Sequence, residues 1–200
     1  MNRKKFLMAA LIGGATFALT ACKDSPESSG AAAPAKAASI PVSIAAITAE
    51  AKGFTVGSPM VVRTVYVFFD AQCPHCTALW YAAKPLKSQA KFVWMPVGLL
   101  GQASIAQGAA LLAAADPVAA MDEHEASMTA KTGGISATGN LDAMKADVTR
   151  NTDLMTRMGF ASIPSIVAIH AQTGALVSQE GSMPTAALAA FLGLQAPAAN

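Results

Sequence analysis

Two cysteines separated by two residues, Cys73 and Cys76, enclose Pro74 and His75. Two chemistries use this spacing, thiol–disulfide exchange and tetrahedral metal binding. Exchange requires one thiol to ionise near neutral pH, whereas a free thiol with a pKa near 8.5 is mostly protonated there. Pro74 suits a first helical position, where its missing N–H is harmless. Cys73 would then stand at a helix start, facing unpaired N–H groups and the positive end of the dipole. A protonated His75 would add positive charge. Cys73 is therefore the expected nucleophile and the more buried Cys76 the resolving thiol. A structural zinc site needs four ligands; this pair supplies two, no second cysteine pair exists, and His124 and His170 are isolated. No metal and no cofactor are expected. His124, within Asp122-Glu123-His124-Glu125, reads as a solvated helix residue, and His170 as a satisfied structural histidine at a strand end.

Two further positions attach to the pair. Asp70, three residues before Cys73, either caps the turn or is a partly buried carboxylate relaying protons to Cys76. Downstream, Ser162-Ile163-Pro164-Ser165 precedes an apolar strand. A proline there can be a simple strand start, but after a Cys-x-x-Cys in this element order a cis Pro164 is the stronger reading. A cis bond would turn the Ile163 backbone towards Cys73, where it could pair with an extended substrate as an added strand.

The elements that must position these residues follow from periodicity. Residues 40–50 suit a short helix or strand, broken by Gly53 and Gly57-Ser58-Pro59. Met60 to Phe69 is a β-branched and aromatic run, the pattern of a strand buried on both faces. From Pro74 to Gln89 the spacing is helical, and Pro85 should kink or shorten that helix. Lys91 to Val97 is the next strand. Three helices are expected over 104–115, 117–129 and 141–158, with a Gly-rich loop over 132–140. A hairpin over 165–179 and a helix from Pro184 to Leu192 complete the order.

Ahead of this domain, Arg3, Lys4 and Lys5 precede an apolar run from Phe6 to Ala21, the pattern of a secretion signal. At about 16 residues it is short of the roughly 20 a membrane-spanning helix needs. It ends in Leu19-Thr20-Ala21-Cys22, which resembles a lipoprotein box, with Cys22 as the lipidated residue after cleavage of 1–21. Lys23 after Cys22 favours the outer membrane, facing the periplasm, by resemblance to enteric sorting rules. Residues 22–39 read as a flexible tether and 40–200 as the catalytic domain. Without the signal, 11 basic and 12 acidic residues remain, a net charge of −1; nucleic-acid binding has no electrostatic footprint. Of three cysteines, lipidation of Cys22 leaves only the Cys73–Cys76 pair. In an exported chain this leaves no structural disulfide framework, so the pair is functional.

From about Gly53 onward the chain resembles the catalytic domain of the periplasmic DsbG- and DsbC-type thiol:disulfide interchange proteins. The residues that carry the resemblance are Val65-Tyr66-Val67-Phe68, Asp70 with Cys73-Pro74-His75-Cys76, Leu79-Trp80 and Met95-Pro96-Val97-Gly98. They continue through Asp116-Pro117, Glu125-Ala126-Ser127 and Asn151–Gly159 to Pro164. The resemblance implies an α/β thioredoxin fold with a helical insertion, at about 99–158, between the second strand and the C-terminal hairpin. It implies Cys73 as nucleophile, Cys76 as resolving cysteine and Pro164 in cis. It also implies reduction or isomerisation of disulfides, or reduction of sulfenic acids, in periplasmic clients, recharged by an inner-membrane thiol electron donor. Pro74-His75 and Ile163, the latter where the family usually has threonine, resemble DsbA-type oxidases instead, whose partner would be a quinone-linked oxidase. The family's N-terminal dimerisation domain has no counterpart between tether and first strand, so a monomer touching the membrane only through lipid is expected. A non-catalytic metal chaperone or client-binding module is the alternative from another class.

Overall fold

The computed structural model describes residues 39–197. The signal at 1–21, the lipidation site Cys22 and all but the end of the expected tether lie outside the described residues. In chain order the elements are α1 (Ile44–Glu50), β1 (Phe54–Val56), β2 (Thr64–Asp70), α2 (Pro74–Ala83) and β3 (Lys91–Val97). They continue with α3 (Gln102–Ala113), α4 (Pro117–Thr129), α5 (Asp142–Arg157), β4 (Ser165–Ile169), β5 (Leu176–Glu180) and α6 (Thr185–Leu192).

Five strands form one sheet in the order β1-β3-β2-β4-β5. β2 and β3 run parallel, joined by the α2 crossover, while the other pairings are antiparallel. The central strands are covered on both faces, which is why their sequences are nearly continuous apolar runs. Side chains alternate along β2. Val65, Val67 and Phe69 join the core under α2 and α6, and Phe68 joins the core under α1 and α5. Beneath α2 the first core holds an aromatic cluster: Trp80 and Trp94 meet edge to face with centroids 5.0 Å apart, and Phe69 meets Trp94 at 5.6 Å.

Three expectations need correction. The strand expected from Met60 begins at Thr64, leaving Met60 87% and Val62 92% exposed. Its partner β3 starts at Lys91, opposite Thr64, so earlier residues have no ladder to join. The stretch read as a break between Gly53 and Gly57 contains β1, which pairs with β3 through Phe54 and Trp94. A Cβ at Gly53 would lie 2.4 Å from the Trp94 carbonyl oxygen, so this glycine permits the close approach of two strands. The helix expected to reach Gln89 ends at Ala83 and passes into a single 3-10 turn, Lys84–Leu86, that contains Pro85.

Between β3 and β4 the insertion contributes α3, α4 and α5. Asp116 caps α4 by accepting from the Val118 and Ala119 N–H groups at 3.1 and 3.0 Å, and Pro117 takes the first helical position. Buried Asn151 ties α5 to the body: its Oδ1 accepts from Lys52 N–H, and its Nδ2 donates to the Lys52 and Pro96 carbonyls. The insertion thereby lies against the end of the sheet that carries the cysteines.

Candidate active site

β2 ends at Asp70, and a two-residue turn later Cys73 caps α2 in extended backbone geometry (φ −95°, ψ 115°) with Pro74 at the first helical position. The Cys76 and Thr77 N–H groups donate to the Cys73 carbonyl at 2.9 and 3.2 Å. Both thiols are free. Cys73 is nearly covered and Cys76 fully buried, whereas Pro74 and His75 are exposed on the rim.

The two thiols are driven apart in acidity. A hydrogen bond from Cys76 lowers the Cys73 pKa to about 6, helped by the His75 and Cys76 N–H groups and the nearby imidazole, while burial opposes them. Burial pushes the Cys76 thiol up, and its hydrogen bond to Cys73 adds to the rise. A helix start thus offers one stabilised thiolate, with a protonated thiol behind it. That arrangement can open a disulfide and then release the resulting mixed disulfide.

The Ile163–Pro164 bond is cis, and the Ile163 carbonyl oxygen lies 3.8 Å from Cys73 Sγ. The loop carrying it is held by Glu180 of β5, whose carboxylate accepts from the Ala161 and Ser162 N–H groups at 3.1 and 2.6 Å. The Ser162 hydroxyl also donates to it, which holds the Glu180 pKa down.

Asp70 is fully buried. Its Oδ1 accepts from Gln72 N–H at 2.9 Å, closing the turn before Cys73. Its Oδ2 accepts from Leu99 and Leu100 N–H at 2.8 and 3.0 Å, holding the loop after β3 against the site. The Asp70 N–H faces Cys76 Sγ at 3.4 Å. These contacts give Asp70 the geometry of a cap and clamp.

His124 is not solvated, as its charged neighbours suggest, but fully buried. The Ile135 N–H donates to Nδ1 at 3.2 Å, which leaves Nε2 to donate to the Ala71 carbonyl at 2.7 Å. Burial lowers its pKa, so a neutral ring bolts α4 to the cysteine turn. Gly134, at φ +83°, makes room for it: a Cβ there would lie 2.6 Å from the ring. His170 is part-exposed and caps the hairpin turn, with Nδ1 accepting from Gln172 and Thr173 N–H. Among the described residues no group of three or more His, Cys, Asp or Glu is placed to hold a metal.

Sequence reasoning missed Gln72, Gln107 and Glu125. Gln72 donates to Gln107 of α3, which donates in turn to the Gly133 and Ile135 carbonyls. Glu125 is 1% exposed. Its pKa is raised to about 7, chiefly by burial and further by the charges of Cys73 and Asp122, against the Thr77 hydroxyl. One signal was available for it. In α4, Met121, His124 and Glu125 are spaced three and four apart, so an inward Met121 places both polar residues on the inner face.

No family model matches the chain. Over 134 residues it is 34% identical to the thiol:disulfide interchange protein DsbG of Pseudomonas aeruginosa, covering 66% of this chain and 51% of that protein. The chain thus spans about half the length of this curated relative. Among solved structures it is similar to the catalytic domain of Proteus mirabilis ScsC, with a TM-score of 0.57 and 17% identity over 74% of this chain and 91% of that one. Pseudomonas aeruginosa DsbA2 superimposes with a TM-score of 0.56 and 21% identity, covering 70% and 95% of the two chains. In sequence the chain is thus similar to DsbG over about half of that protein, and in fold it is similar to thioredoxin-like proteins.

Proposed function

We propose that the chain is a thiol:disulfide oxidoreductase that reduces or isomerises protein disulfides, or reduces sulfenic acids, through Cys73 and Cys76. The observation that carries this reading is the acidity split within one pair: Cys73 lowered to about 6 at a helix start, and Cys76 raised behind it. In the reducing direction the Cys73 thiolate attacks a client sulfur, releasing a thiolate or, from a sulfenic acid, hydroxide. Cys76 then attacks Cys73 Sγ in the mixed disulfide and frees the client thiol. The Ile163 main chain beside Cys73 is the surface on which an extended client segment would pair. A membrane thiol donor would return the pair to its reduced state.

Replacing Cys76 by Ala tests the mechanism. The variant is expected to accumulate clients as mixed disulfides on Cys73, seen as reductant-sensitive adducts by mass spectrometry; no adduct would count against the reading. Stoichiometric metal binding without thiol exchange would sink it altogether.

Disulfide donation is the second reading, favoured by the same lowered pKa. Stabilising the thiolate stabilises the reduced pair, which makes the disulfide the stronger oxidant. The redox state of the pair in the cell separates the two: mostly reduced supports reductase or isomerase, mostly oxidised supports oxidase. Lipidation of Cys22, an outer-membrane anchor facing the periplasm and a monomeric state belong to the same proposal. Metabolic labelling with a fatty acid, membrane fractionation and sedimentation of the detergent-solubilised chain test them in turn.

A further inference from the structure

Glu125 is buried from water, yet its Oε2 has no hydrogen-bond partner among the described residues. A carboxylate held for structure alone is expected to have its oxygens filled, since an unpaired buried oxygen costs stability. Two contacts fix where this one lies. One residue before it, His124 donates to the Ala71 carbonyl at 2.7 Å, just ahead of Cys73. Nearly one turn before it, Asp122 accepts from Trp80 Nε1 at 2.7 Å, in the second turn of α2. Glu125 is thereby laid across the first turn of α2, beside Thr77 and within electrostatic range of Cys73. Few ionisable groups surround it. Cys73 acts on it from α2, Asp122 is balanced by Lys84 at 2.5 Å, and His124 is neutral.

We propose that Glu125 is the proton-exchanging partner of the cysteine pair, taking up a proton when the disulfide is reduced and releasing it when the disulfide forms. The proposal rests on the thiol-exchange reading above. A thiolate and a carboxylate side by side in a buried site repel strongly, because little solvent screens them. One mobile proton removes the conflict. The oxidised site holds the Cys73–Cys76 disulfide and the Glu125 carboxylate. A dithiol donor supplies two electrons and two protons and leaves as its disulfide; the site becomes Cys73 thiolate, Cys76 thiol and protonated Glu125. Its charge is one negative in both states. When a client disulfide is reduced, the two electrons pass to the client sulfurs. The protons of Cys76 and Glu125 neutralise the two client thiolates. The raised pKa of Glu125 places this exchange near neutral pH. Glu125 acts on the sulfurs across Thr77 and is a positioning residue in that sense.

The test is the reduction potential of the full chain, measured against a dithiol buffer between about pH 6 and 8, for the wild type and Glu125→Gln. With one proton taken up per two electrons, the reduction equilibrium changes tenfold per pH unit, or 29.6 mV. Glu125→Gln is expected to settle onto that slope as Cys73 ionises above about pH 6 and to hold it from about pH 7 upward. The wild type is expected to be steeper near neutrality, between tenfold and a hundredfold per unit, and to rejoin the variant's slope at higher pH. Identical slopes in the two proteins would overturn the proposal and leave thiol exchange intact. A wild type that does not exchange with the buffer would overturn the function reading instead. Should Glu125→Gln fail to fold, the wild type still decides. Its reduced-minus-oxidised infrared spectrum is expected to gain a protonated-carboxyl band, and a spectrum without one would end the idea.

Discussion

At neutral pH a thiol whose pKa has fallen to about 6 is mostly thiolate. Alkylation of Cys73 is therefore expected to quicken as pH rises through about 6 and then level off, while Cys76 stays unmodified across that range. Peptide mapping after timed iodoacetamide treatment checks both; labelling of Cys76 first would reverse the assigned roles. The same shift links to stability. In the reduced protein the folded pKa of Cys73 lies below that of an unfolded thiol, near 8.5. Its stabilising contribution is complete above about pH 8.5 and disappears as pH falls through about 6. Urea unfolding of the reduced protein should follow that direction over this window, and the disulfide form should lack this component. The cysteines were legible because their spacing and the preceding apolar run have few other uses. Glu125 and His124 were not, because Asp122-Glu123-His124-Glu125 has the composition of a solvated face. Only the placement of α4 against α2 decides which of the four point inward.

The helices and strands of this chain are joined by a few buried polar side chains that grip main chain. Asn151 makes three such hydrogen bonds, linking α5 to the segment after α1 and to β3. Asn151→Ala would leave the Lys52 N–H and two carbonyls without their partner. The expected loss is about 1–3 kcal/mol in chemical denaturation, with little change in Cys73 alkylation if the site stays intact. Gly134→Ala combines an unfavourable φ with a contact against the His124 ring. It should destabilise the chain and loosen the cysteine turn together, visible as faster hydrogen exchange at the Ile135 N–H. Element types were readable from periodicity, including the three insertion helices and the hairpin. The short β1 was not, because three residues between glycines carry no period. Its existence depends on β3 offering an edge, a fact about the sheet and not about the local sequence.

Across the whole molecule, one sheet with cores on both faces supports the site. Trp94 is fully buried, and its ring meets both Trp80 and Phe69. Trp94→Ala is expected to cost about 3–5 kcal/mol, a large part of the roughly 5–15 kcal/mol typical of a domain. Thermal unfolding measures it, and a loss below about 1 kcal/mol would mean that the aromatic cluster is not where stability resides. The element order was legible from periodicity, while the thioredoxin architecture was legible only through the family resemblance of the segments around the cysteine pair. What the insertion does was less visible. Its helix α4 packs against α2 and the cysteine turn through Asp122, His124 and Glu125, contacts that join residues far apart in the chain.

The Asp70 clamp has a consequence for how such a site can be diversified. It holds the loop after β3 by the N–H groups of Leu99 and Leu100 and leaves their side chains 39% and 58% exposed. Any residue but proline supplies the same N–H, so the lettering at 99 and 100 is free to vary while the loop stays in register with the cysteines. The side chains exposed there are thereby uncoupled from the main-chain contacts that hold the loop to the cysteine turn. Non-proline substitutions at these two positions are expected to leave the rate of Cys73 alkylation unchanged.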